Sequence, residues 1–194
     1  MWILYVADRI TDGLIPYQDI TITYGPFVYI FNAIFLKFGL PYPFLKMIML
    51  LVSISNGILI YFAAEKIFKK KSIGILSSAI YMFIPLHYGI GPVIHLDQLA
   101  VLQSLLILNL ILLEKKFSSF LGGMVGAIIY TTKVIAIPLS FGPIIYFLIN
   151  KKKEVIYYTL PLGISLFGIY SYISSIKKYD LTEFFMDYVL KNPD

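Results

Sequence analysis

The sequence predicts an all-α, polytopic transmembrane helical bundle, and three observations carry that prediction. Of the 194 residues, 59% are hydrophobic and only 14% are charged, against about 25% charged in ordinary soluble domains. Mean hydropathy is +0.81. Apolar runs close to the ~20 residues a helix needs to cross hydrocarbon recur along nearly the whole chain. Short basic clusters separate the runs: "EKIFKKK" at 65–71, "EKK" at 114–116 and "KKK" at 151–153. The chain has no cysteine, which excludes disulfides and thiolate metal sites. A net charge of +5 would suit nucleic acid, but these lysines are confined to short loops at helix ends, and no nucleic-acid partner is expected.

Six spans are predicted, at 43–65, 72–88, 96–113, 117–132, 134–149 and 155–175. Short basic loops stay in the cytoplasm. Placing all three clusters inside lets the spans alternate without conflict. The outer face then receives 1–42, the 89–95 loop, the apex near 133 and the tail 176–194. All seven aspartates (Asp8, Asp12, Asp19, Asp97, Asp180, Asp187, Asp194) fall at or beyond that outer boundary, while Glu65, Glu114 and Glu154 sit inside beside lysines. Carboxylates gathered on one face read as a working surface; the bland reading is a set of wet loops.

Within 1–42, "GPFVYIFNAIFLKFG" is apolar but its uninterrupted core is only about 11 residues, short for a span. It is expected as a juxtamembrane helix at 26–39, lying on or dipping into the outer leaflet. Gly25-Pro26 opens it, and Gly39 followed by Pro41 closes it. The stretch 117–149 is flanked by basic residues on both sides and must cross an even number of times. Its two helices would be only about 24 Å long each at 1.5 Å per residue, below the ~30 Å hydrocarbon core. Its turn, "YTTKVIAIP", should therefore sit beneath the outer surface, with Lys133 at the apex. A lysine there either snorkels to the headgroups or forms an anion site, for which a lipid phosphate is the natural occupant. The tail has a capping-box pattern, Asp180-x-x-Glu183, and Leu181, Phe184, Phe185, Tyr188 and Val189 share one helical face. It is expected as a short amphipathic interfacial helix.

Three outer-face elements stand out: "ADRITDGLIPYQDITITYGPF" at 7–27, "HLDQLA" at 95–100 and "YTTKVIAIP" at 130–138. In this order they resemble the N-terminal membrane part of GT-C superfamily glycosyltransferases, of the protein O-mannosyltransferase and aminoarabinose-transferase type. The similarity lies in Ala7, Arg9, Asp12-Gly13, Pro16-Tyr17-Gln18-Asp19 and Gly25-Pro26 with Tyr29, then His95-x-Asp97, then Thr132-Lys133. It implies a polyprenyl-phosphate-linked sugar as donor, at the outer face of the plasma membrane, with a protein, lipid or glycan acceptor. Arg9 and Lys133 are then expected at the lipid phosphate, and Asp12, Tyr17, Tyr24 and His95 at the substrate. The family's Asp-Glu pair and first span would align immediately before Met1, so the expectation is a fragment of a longer chain. An inactive truncated copy is the alternative.

The chemistry of such a donor asks for two kinds of group. A carboxylate near the acceptor can serve as general base, and a cation near the leaving phosphate offsets its developing charge. Asp97 and Asp19 are the candidate catalytic carboxylates. If Mg²⁺ or Mn²⁺ is used, oxygen ligands suit it, and Asp97 is the candidate ligand. The bland reading of Asp97 is a helix start, where a negative charge meets the positive end of the helix dipole. The competing functional class is a transporter or lipid flippase module. Such proteins place ionisable groups near the bilayer midplane and carry internal repeats, whereas here the polar groups gather at one surface.

Overall fold

The computed structural model describes residues 2–16, 18–20, 22, 25–83, 96–132, 137–150 and 153–176. The chain is all-α: eight helices and no strand among these residues. They are α1 (Trp2–Thr11), α2 (Pro26–Lys37), α3 (Tyr42–Phe68), α4 (Lys71–Phe83), α5 (Leu96–Leu112), α6 (Lys116–Tyr130), α7 (Ile137–Asn150) and α8 (Glu154–Ile176). A helix thus occupies each of the apolar segments singled out above, and α2 occupies the juxtamembrane segment. The expected amphipathic tail at 176–194 lies, beyond Ile176, outside the described residues.

One helix was not anticipated. The 1–42 segment was expected as a loop apart from 26–39, yet Trp2–Thr11 forms α1. Ile3, Val6 and Ile10 recur at helical spacing and supply an apolar face. That face packs with Ile22, Val28 and Tyr29 and with Val52 of α3 and Leu99 of α5.

Two helices, over Pro43–Phe68 and Glu154–Tyr172, are long and apolar enough to cross a membrane. Only 28% and 17% of their most apolar windows are buried, unlike the core helix of a soluble protein. The exterior carries Leu50, Leu51, Ile58, Phe83, Ile149 and Phe167. The interior holds Asn32, Ser53, Asn56, Gln98, Gln103 and Thr132. Apolar side chains outside and polar ones within is the distribution expected of a surface that meets lipid. The other helices are shorter: α6 has 15 residues and α7 has 14, about 22 Å each at 1.5 Å per residue.

Small residues bring the backbones together. α6 carries "SSFLGGMVGA", and Ser118, Ser119, Gly122, Gly123, Gly126 and Ala127 are all buried. A side chain at Gly123 would run into the Tyr158 carbonyl and Pro161 of α8. The tyrosine ring of residue 158 fills the seam instead, and its hydroxyl donates to Ser140 O at 2.9 Å. α3 and α4 meet in the same way at Gly57 against Met82 and Gly74 against Tyr61. These pairings make α3 and α4 antiparallel. α5 runs parallel to α3, since Ser53 meets Gln98 while Leu59 meets Asn109.

This arrangement separates the charges. Lys66, Lys69 and Lys71 share a groove with Leu113 at the end of α5. Lys116 stacks on the Tyr157 ring, 5.2 Å from its centroid, one turn from Lys153. The described lysines of all three basic clusters therefore lie at one end of the bundle. Asp12, Asp19 and Asp97 lie at the other.

Candidate functional site

The acidic end is built by a contact between distant parts of the chain. α1 ends at Thr11, and the segment after it turns back before α2. Ile15 N–H donates to Asp19 Oδ2 at 2.8 Å, and Asp19 N–H returns a bond to Ile15 O at 2.9 Å. This reciprocal pair is a side-chain-closed turn of the kind Asp favours. One oxygen of the candidate catalytic Asp19 is thus spent holding its own loop.

The loop delivers Gly25-Pro26 to the end of α6. Phe27 N–H donates to Thr131 O at 2.9 Å, and a Cβ at Gly25 would collide with that same carbonyl. Only glycine allows the two backbones to approach this closely. Thr131 leaves the helix, and Thr132 follows as a turn residue that is fully buried. Both threonine hydroxyls donate back to Ile128 O, at 2.8 and 3.1 Å, leaving the Thr131 carbonyl to α2. At its far end α2 stops on Gly39, whose φ of +69° suits glycine alone.

The third element joins through α5. Leu99 belongs to the same buried cluster as Val28 and Ile22, which ties the first turn of α5 to the core that α2 helps to form. Asp97 lies in that first turn and is exposed. It is one residue inside the helix, where its charge complements the helix dipole. Next to it, Gln98 is buried. Its Oε1 accepts from Ser53 Oγ at 2.7 Å, and its backbone oxygen accepts from Asn56 Nδ2 at 3.2 Å. Asn56 also donates to Tyr81 Oη at 3.1 Å. This amide and hydroxyl cluster was not singled out in the sequence. Its signal was there, as polar residues inside apolar helices.

The site is recessed. Gln98 stands level with Ser53, eleven residues into α3 by position, so α5 begins well below the start of α3. α6 likewise ends short. A cavity of about 520 Å³ opens there, walled by Ile15, Pro26, Phe27, Ile128, Ile169 and Tyr172.

Of the expected substrate and phosphate groups, Arg9 and Asp12 are described. They form an exposed pair at 3.5 Å, and Arg9 lies over the Tyr5 ring at 5.3 Å. Hydrogen bonding to Tyr5, then charge attraction from it, raises the guanidinium above its ordinary value, so Arg9 stays charged at any working pH. Tyr17, Tyr24, His95 and Lys133 lie outside the described residues. No group of three or more His, Cys, Asp or Glu is placed to hold a metal among the described residues.

No family model matches the chain, and no curated protein or solved structure matches it.

Proposed function

We propose that this chain is the membrane part of a glycosyltransferase that takes a sugar from a polyprenyl-phosphate carrier at the outer face of the plasma membrane. On this reading α3 to α8 form a six-span bundle, with the lysine-rich end in the cytoplasm and the recess open to the outside. The observation that carries it is the seating of Phe27 and Gly25 on the Thr131 carbonyl. It supports the union of the acidic N-terminal segment with the apex that precedes Lys133. An apolar cavity with polar groups at its rim suits a substrate with a hydrocarbon tail and a charged head.

In the proposed step, the acceptor hydroxyl gives its proton to the Asp97 carboxylate as its oxygen bonds to the anomeric carbon. The bond from that carbon to the phosphate oxygen breaks, and its electron pair leaves on the phosphate. Arg9 and Lys133 offset the charge that develops there. Asp19 acts mainly by shaping the loop, and Asp12, Tyr17, Tyr24 and His95 contact the sugar or acceptor. No metal step is included.

The test uses membranes carrying the full chain and undecaprenyl-phosphate hexose as probe, with release of undecaprenyl phosphate as readout. Asp97→Asn and Lys133→Ala should each lower release by about a hundredfold or more, with expression intact. Wild-type turnover in both variants removes these residues from the site, and no transfer by the wild type defeats the reading. One observation favours a transporter or flippase module instead: the buried Ser53, Asn56 and Gln98, with the half-buried Tyr81, form a polar cluster inside the bundle. Movement of a fluorescent prenyl-phosphate lipid across vesicles without sugar transfer would select that reading.

A further inference from the structure

The basic end carries a second concavity that the proposed transfer does not use. The last turns of α3 and α5 enclose an open groove of about 810 Å³. Its walls are Leu59, Phe62, Leu106 and Leu110, and its rim carries Lys66, Lys69 and Lys71 with Glu65. Three features make it more than a gap between helices.

The walls present hydrocarbon. Asn109, the one amide in the lining, turns its Nδ2 away to Leu59 O at 3.0 Å and Leu105 O at 2.8 Å. The rim is net positive. Its three lysines are all exposed and outnumber the single carboxylate, Glu65. The chain geometry also gathers those lysines. Lys69 ends α3 in the left-handed conformation, φ +54°, and the short link that follows returns Lys71 to the same mouth as the first residue of α4. An apolar trough under a ring of ammonium groups matches one kind of molecule, with an acyl chain at one end and a phosphate at the other.

We propose that this groove binds an anionic phospholipid of the leaflet at the basic end of the bundle. An acyl chain lies along Phe62, Leu106 and Leu110, and the phosphate sits among Lys66, Lys69 and Lys71. The lipid would wedge the ends of α3, α4 and α5 together at the end remote from the acidic recess. The inference rests on the bundle lying in a bilayer and is independent of sugar transfer.

The test places the full chain in phosphatidylcholine nanodiscs containing a minority of phosphatidylglycerol, followed by native mass spectrometry of the released protein. Wild type should retain one phosphatidylglycerol in preference to phosphatidylcholine. Each lysine replaced should weaken retention about fivefold, and the K66Q/K69Q/K71Q variant about a hundredfold. The three corresponding Lys→Arg changes should keep it. Leu106→Trp, which fills the trough and leaves the charges in place, should also reduce it. Equal retention of the two lipids by wild type overturns the proposal, as does unchanged phosphatidylglycerol retention in the triple glutamine variant or in Leu106→Trp. If the triple variant does not fold, the wild-type lipid competition and Leu106→Trp decide. Release of the protein from membranes by alkaline carbonate would sink the membrane premise itself, whereas loss of sugar transfer alone leaves the lipid site standing.

Discussion

The two ends of the bundle are closed by different means. At the basic end α3 passes to α4 through residues 69–70, and α5 passes to α6 through residues 113–115. Each connection is a local turn flanked by exposed lysines. At the acidic end the start of α2, at Gly25 and Phe27, takes its seat on the Thr131 carbonyl of a distant helix. One end is thus specified by neighbours in sequence and the other by neighbours in space. The difference teaches where each kind of function can reside: a long-range junction can enclose a recess, while short turns leave an open rim.

The sharpest way to break that contrast is Gly25→Val. The added side chain must enter the Thr131 carbonyl, so α2 should lift from its seat at a cost of about 3 kcal/mol. Hydrogen exchange should show α1 and α2 losing protection while the α3–α4 hairpin keeps its own. A uniform loss across both ends would mean that the acidic end is not a separate assembly.

A smaller effect is expected at the depth between the two ends. Asn56→Ala removes the donor to Gln98 O and Tyr81 Oη, which should cost about 1 kcal/mol. The midpoint of thermal unfolding in detergent should fall by a few degrees. No change would show that the cluster contributes nothing to the α3–α5 seam.

Asp19 distinguishes loop shaping from chemistry. Asp19→Ala should loosen the 15–19 turn by about 1 kcal/mol, read as faster proteolysis of that loop. Asp19→Asn keeps an acceptor for Ile15 N–H and should preserve both the loop and sugar transfer. An inactive but protease-resistant Asn variant would return Asp19 to the catalytic step. The smallest effect belongs to Asp12→Asn. Its pair with Arg9 is exposed on both sides, so stability should change by less than about 0.5 kcal/mol, with any loss confined to substrate binding.

These differences also mark what the sequence could convey. The basic end was legible because the helix ends fall beside lysine clusters, and a cluster is a local word. α2 was legible for the same reason, with Gly25-Pro26 at one end and Gly39 at the other. α1 escaped because Asp8 and Arg9 gave its ten residues the look of a polar loop. Its face is formed only by Ile3, Val6 and Ile10, which gain meaning once α2 lies against them. The candidate residues fared unevenly for physical reasons. Asp97 stands in the first turn of α5, where a negative charge complements the helix dipole. Asp19 has a local partner in Ile15 N–H that no motif announces. Ser53, Asn56 and Gln98 were invisible as a group, because α3 and α5 bring them together only across the intervening α4.

The seat of α2 also constrains the order of assembly. Phe27 waits for a partner about 100 residues downstream, and a contact with so wide a loop forms late. During synthesis the amino-terminal arm must therefore remain undocked until α6 has been made and folded. The recess comes into being only with that final act of closure, so an interrupted nascent chain would display the basic turns but have no pocket.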